Sequence, residues 1–184
     1  MKTNVKKLTY SALLFAMAYV LPYLTANIPE IGTMLCPMHI PVFICGFVCG
    51  PVWGGAVGAL VPLVRSLTIA MPPLYPTAAA MSFELASYGI LSGILYRVFP
   101  RKTGFIYVTL LVSMAGGRVV WGAARYVMSA VSQTEFGFAA FISGAITTSL
   151  PGTVVQIVLL PAVIYALERA GLIPRDRSAE MIEK

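Results

Sequence analysis

Four charged residues stand inside long apolar runs of this chain, where their ionised groups need partners: Arg65, Glu84, Arg118 and Arg125. Glu84 lies in MPPLYPTAAAMSFELASYG, residues 71–89, and helical spacing puts Thr77, Met81, Glu84 and Tyr88 on one polar, polarisable face. Such a carboxylate either contacts a ligand or is neutralised by a structural arginine. Arg118, Trp121 and Arg125 share another face, with the two arginines a heptad apart. Paired guanidinium groups suit a carboxylate or phosphate, and an apolar body can pack on the tryptophan ring between them. Arg65 either snorkels to the membrane surface or enters the same pocket. His39 is the only histidine, and it is either a ligand contact or a helix-start residue bonded to backbone. Tyr75 in the proline-rich turn and Gln156 complete the candidate binding set. Ser149, Thr153 and Gln156 share a face beside Pro151, where they either satisfy freed backbone groups or reach a ligand.

The elements that position these residues are membrane helices. A composition of 58% hydrophobic and 11% charged residues, with a mean hydropathy of +0.83, leaves too little polar surface for a soluble domain of 184 residues. The net charge of +6 raises the question of nucleic acid, but the basic residues fall in short clusters between apolar runs, which is a membrane-orientation pattern. Nucleic acid is therefore not expected as a partner. Cys36, Cys45 and Cys49 have no metal-ligand spacing with His39 and read as small apolar residues, so neither metal nor cofactor is expected.

In order, the sequence predicts helices over residues 8–24, 38–50, 53–70, 77–96, 104–128 and 138–167: an all-α integral membrane protein, one compact bundle with six transmembrane helices. The first apolar run could be a signal peptide, but it has no small-x-small cleavage site and further apolar runs follow it. Ala12 and Ala16 lie four apart on one face, which permits close approach of another helix. Residues 25–37 read as a loop that closes over a ligand. The 38–50 segment covers only about 20 Å at 1.5 Å per residue, so its start near His39 is expected below the membrane surface. Gly46, Gly50, Gly54 and Gly58 suggest a closely packed hairpin, with Pro62 a kink in its second helix. Pro72, Pro73 and Pro76 hold an extended turn, and Thr77 is placed to cap the next helix. Pro151, Gly152 and Pro161 interrupt the last helix. Lys2, Lys6, Lys7, Arg97, Arg101, Lys102, Arg169, Arg175, Arg177 and Lys184 all fall on one side, which predicts both termini in the cytoplasm of a multi-pass protein of the prokaryotic plasma membrane.

The Ala12-x-x-x-Ala16 pair, Met38-His39-Ile40-Pro41-Val42, Met71-Pro72-Pro73-Leu74 and Glu84-Leu85-Ala86-Ser87-Tyr88-Gly89 together resemble the substrate-binding S components of energy-coupling factor (ECF) transporters. The resemblance covers nearly the whole chain. It implies a non-enzymatic protein that binds a vitamin or related micronutrient from outside and passes it inward. Its implied partners are a transmembrane coupling subunit and two ATP-binding subunits, with Ala12 and Ala16 as the docking face and Glu84 in the pocket. The absence of a G-x-x-x-x-G-K-[ST] loop agrees that any ATP is used by a partner. The alternative is a stand-alone secondary carrier or channel for a small organic anion, although no inverted repeat supports it. An intramembrane hydrolase would rely on Ser143 and His39, which carry no hydrolase motif. The arginine excess over Glu84 points to an anionic or zwitterionic vitamin, with a pantothenate-like acid first and a pyridoxine- or pyrimidine-type ring second.

Overall fold

The computed structural model describes residues 2–25, 36–100, 103–132, 137, 141–144 and 149–172. Among them are six α-helices: α1 (Lys2–Val20), α2 (His39–Cys49), α3 (Pro51–Ile69), α4 (Ala79–Val98), α5 (Thr103–Ser132) and α6 (Leu150–Arg169). A 3-10 turn, Leu21–Thr25, follows α1, and a single π turn, Leu74–Ala78, leads into α4. Most of the closing loop predicted over residues 25–37 lies outside the described residues, as does the turn around Glu135.

Four segments, Pro51–Ile69, Leu74–Val98, Gly104–Ser132 and Leu150–Arg169, are long and apolar enough to cross a membrane. The sequence reading of six spanning helices therefore becomes six helices of which four meet that standard among the described residues. α1 begins six residues earlier than predicted and includes Lys2, Lys6 and Lys7. α2 has only 11 residues and runs about 16 Å.

Local chemistry accounts for most boundaries. Gly50 ends α2 at φ 95°, where its amide donates to Cys45 O and Gly46 O at 3.3 and 3.1 Å. Pro51 then opens α3, a position at which a missing amide costs nothing. A side chain at Gly50 would also strike the Arg97 guanidinium, since its Cβ would lie 2.0 Å from Nη2. Extended Phe99 ends α4 before Pro100, as the residue preceding a proline tends to do.

Two sequence expectations differ from the structure. Thr77 does not cap α4: the N-cap is Ala78, which has no side-chain cap bond, and the Ala78 amide donates to Pro73 O at 2.9 Å. The π turn reaches back to a carbonyl that Pro73 leaves available, so no hydroxyl is required. Pro161 does not interrupt the last helix, which runs unbroken from Leu150 to Arg169, while Pro151 lies in its first turn, where proline removes no intrahelical bond. Of residues 138–149, only 141–144 and Ser149 are described. Pro62 and Pro161 lie inside continuous helices.

Helices α2, α3 and α4 touch backbone to backbone. An added Cβ at Gly54 would lie 2.8 Å from Gly46 Cα and from Gly89 O, and one at Gly58 would lie 2.3 Å from Leu85 O. At Gly89 it would come within 2.2 Å of Gly54 O, and at Gly93 within 2.5 Å of Pro51 N. The predicted glycine hairpin is thus extended by a third helix that the spacing of α2 and α3 alone does not reveal. Gly89→Ala is expected to destabilise the protein by about 1–3 kcal/mol, because backbone cannot yield as a flexible side chain can. Gly104→Ala, with nothing within 4 Å of the new methyl group, is the control. Melting of both variants in detergent checks the expectation, and equal melting temperatures would refute it.

The helix ends are tied in pairs. Tyr96 OH donates to Glu168 Oε1 at 2.6 Å, joining α4 to α6 at the basic end. At the opposite end Tyr75 OH donates to Met128 O at 2.7 Å and lies 2.6 Å from Ser132 Oγ, joining the proline turn to the last turn of α5.

Candidate functional site

The short α2 begins inside the bundle, and its first residue meets the middle of two spanning helices. His39 is 2% exposed and Glu84 is 2% exposed. Glu84 Oε1 accepts hydrogen bonds from Arg118 Nη1 at 2.7 Å and from Tyr88 OH at 2.7 Å. His39 Nε2 stands 3.9 Å from the same oxygen, too far for a hydrogen bond. The carboxylate therefore has a charge-assisted bond from α5, a phenol bond from its own helix and a histidine ring facing it from α2. The amino-terminal end of α2 carries the positive end of its helix dipole, which favours a carboxylate nearby.

Each member is held by its surroundings. The His39 ring is anchored through Nδ1 to Cys36 O at 3.1 Å, and the His39 amide donates to the same carbonyl at 3.1 Å. Tyr88 stacks on Phe43 with ring centroids 4.8 Å apart and lies 5.4 Å from the His39 ring. Gly117 leaves room for that phenol, because a Cβ there would come within 2.2 Å of Tyr88 Cε1. Tyr88 was already on the Glu84 face by period. Gly117 and Phe43 were not legible as its supports, because their roles depend on how α2 and α5 meet α4. Cys36 was read as a small apolar residue, but its carbonyl is the group that holds His39. Its left-handed backbone, at φ 46°, aims its carbonyl at His39.

The other candidates occupy three places. Arg65 is 3% exposed and joins α3 to the end of α1: its Nη1 donates to Tyr19 O, and Cζ lies 5.6 and 5.3 Å from the Tyr19 and Tyr23 ring centroids. Trp121 and Arg125 continue along α5 from Arg118 toward the end where Tyr75 binds Met128 O. Trp121 stacks on Phe141 at 6.2 Å, and a side chain at Gly144 would press on the same indole. Gln156 is 4% exposed on α6. Counting 12 residues back from the bonded pair Tyr96 and Glu168 reaches Glu84 on α4 and Gln156 on α6, each about 18 Å from that bond along its helix. The two residues therefore stand at similar depth. The structure thus brings His39, Glu84, Tyr88 and Arg118 into one cluster, sets Gln156 at its level, and places Arg65 and Tyr75 in contacts that tie helix ends.

Chemically, the cluster is an Arg118–Glu84 ion pair whose carboxylate is buried and faced by a histidine ring nitrogen. A bundle of apolar helices around such a group is the build of a multi-pass membrane protein that handles a polar solute. The sequence model of the ECF transporter substrate-specific component matches residues 6–164, and the chain belongs to that family. It is accordingly a substrate-binding transport component, in a family of transport proteins and not of enzymes. No curated protein and no solved structure matches it.

Proposed function

We propose that the protein captures a vitamin or related micronutrient outside a prokaryotic cell and delivers it inward through an ATP-driven coupling module. That module would comprise a transmembrane coupling subunit and two ATP-binding subunits. The observation that carries the binding reading is the buried cluster of His39, Glu84, Tyr88 and Arg118, since ionised groups in the middle of spanning helices mark ligand or ion paths. The cytoplasmic placement of both termini rests on the basic residues at one side of the chain. On that orientation the proline turn lies at the outer face, and the loop predicted over residues 25–37 is proposed to close over the bound solute there.

The solute is proposed to be anionic or zwitterionic, with a pantothenate-like acid first and a pyridoxine- or pyrimidine-type ring second. The acid would go to the face of α5 that carries Arg118, Trp121 and Arg125. Ala12 and Ala16, both exposed on α1, are the proposed docking face for the coupling subunit.

Calorimetry against pantothenate, pyridoxine and thiamine tests binding. Uptake into vesicles containing the protein, with and without the coupling subunit and its ATPases, tests transport. Binding together with ATP-dependent uptake is expected. Uptake by the protein alone would favour a stand-alone carrier, and failure of all three compounds to bind would refute the vitamin reading. Arg125→Gln is part of the same test, and unchanged affinity for an anionic solute would remove Arg125 from the site.

A further inference from the structure

His39 is the only histidine in the chain, and its two ring nitrogens stand in different situations. Nδ1 lies 3.1 Å from Cys36 O. A carbonyl oxygen only accepts, so Nδ1 carries the proton in that bond, and Nε2 of the neutral ring is a bare acceptor. Nε2 is buried and has no hydrogen-bond partner among the described residues. The group it faces, Glu84 Oε1 at 3.9 Å, is an acceptor too and already holds the Arg118 and Tyr88 donors. With the ring neutral, two acceptors confront each other inside the protein with no donor between them, an arrangement that calls for a third group.

We infer that the transported solute supplies the missing donor, a hydroxyl or amide N–H that bonds to His39 Nε2; this rests on the transport reading above. A carboxylate or phosphate is the wrong group for this position. It would bring acceptor oxygens against an acceptor nitrogen and beside the Glu84 carboxylate. This end of the site therefore selects a neutral donor, and any acid on the solute belongs elsewhere. The substrate class is then a small solute that presents a hydroxyl or amide donor at this position and carries any acid elsewhere.

The single histidine makes the test direct. Protein labelled with 15N-histidine yields one imidazole, and without solute its spectrum is expected to show a protonated Nδ1 and an unprotonated Nε2. The opposite tautomer would overturn the inference. Pantothenate and pyridoxine are then titrated, each beside analogues with its hydroxyl or amide donors methylated. For a compound that binds by calorimetry, the Nε2 resonance is expected to move while Nδ1 keeps its proton. Methylating the relevant donor is expected to weaken binding tenfold or more in the natural protein and less than twofold in His39→Phe. Calorimetric binding with no change at Nε2, as when a water fills the gap, would overturn the inference while leaving the vitamin reading intact. Failure of both compounds to bind would remove the pantothenate- and pyridoxine-like solutes and this inference with them. The spectra are taken on the natural protein, so the test survives a misfolded variant.

Discussion

Replacing Arg118 with Leu is expected to lower stability by about 3–5 kcal/mol, the largest effect of any single substitution in the helical core. The substitution leaves the Glu84 carboxylate buried with only the Tyr88 hydroxyl donating to it. Removing one partner of a buried pair is far more costly than removing both, because the remaining charge keeps its desolvation penalty and loses its compensation. The Arg118 side chain retains 19% of its exposure, so some water reaches that side and the lower half of the range is the better expectation. Adding Glu84→Gln to Arg118→Leu should recover most of the loss. Chemical unfolding in detergent, followed by helical circular dichroism, checks both variants. A single variant as stable as the natural protein, or a double variant worse than the single, would show that the pair does not act as a compensated unit.

Replacing Ala12 and Ala16 together with Leu is expected to reduce ATP-driven uptake to background while leaving solute binding in detergent nearly unchanged. Both alanines are exposed, whereas Ser11, Leu14 and Ala18 of the same helix are buried against the bundle. The added side chains therefore point away from the protein's own core. What they would alter is the distance at which a partner helix can approach, which in lipid depends on small residues at the contact. Uptake assays in vesicles and calorimetry on the same preparation separate the two effects. Parallel loss of binding would refute the assignment of this face to docking.

The cluster was legible in the sequence to the extent that one helix determines it. Glu84 and Tyr88 lie four residues apart on α4, so their pairing follows from helical period alone. The shortness of α2 was likewise legible, and the helix has 11 residues with His39 buried at its start. Whether Glu84 pairs with Arg118, Arg125 or Arg65 was not legible, because the choice depends on how α4 lies along α5 and α3. Arg65 shows the point most clearly: its charge meets the Tyr19 carbonyl and two tyrosine rings, acceptors that no count of acidic residues includes. Pro151 was ambiguous for a different reason. A proline inside an apolar run is compatible with a break or a first turn, and only the location of the helix start distinguishes them.

The glycine contacts of α2, α3 and α4 also govern how the molecule can deform. Side chains between helices act as a compressible layer that can change rotamer when helices shift, but at Gly54, Gly58, Gly89 and Gly93 that layer is absent and backbone rests on backbone. The three helices consequently behave as a stiff slab that tilts or translates only as one piece. The contact of α4 with α5 is of another kind, made by Tyr88 and Leu91 against Gly117 and Gly116, where rings and methyl groups can swing. Strain from an entering solute or a docking partner is therefore absorbed at the α5 wall, the same wall that carries the Arg118 side of the Glu84 pair.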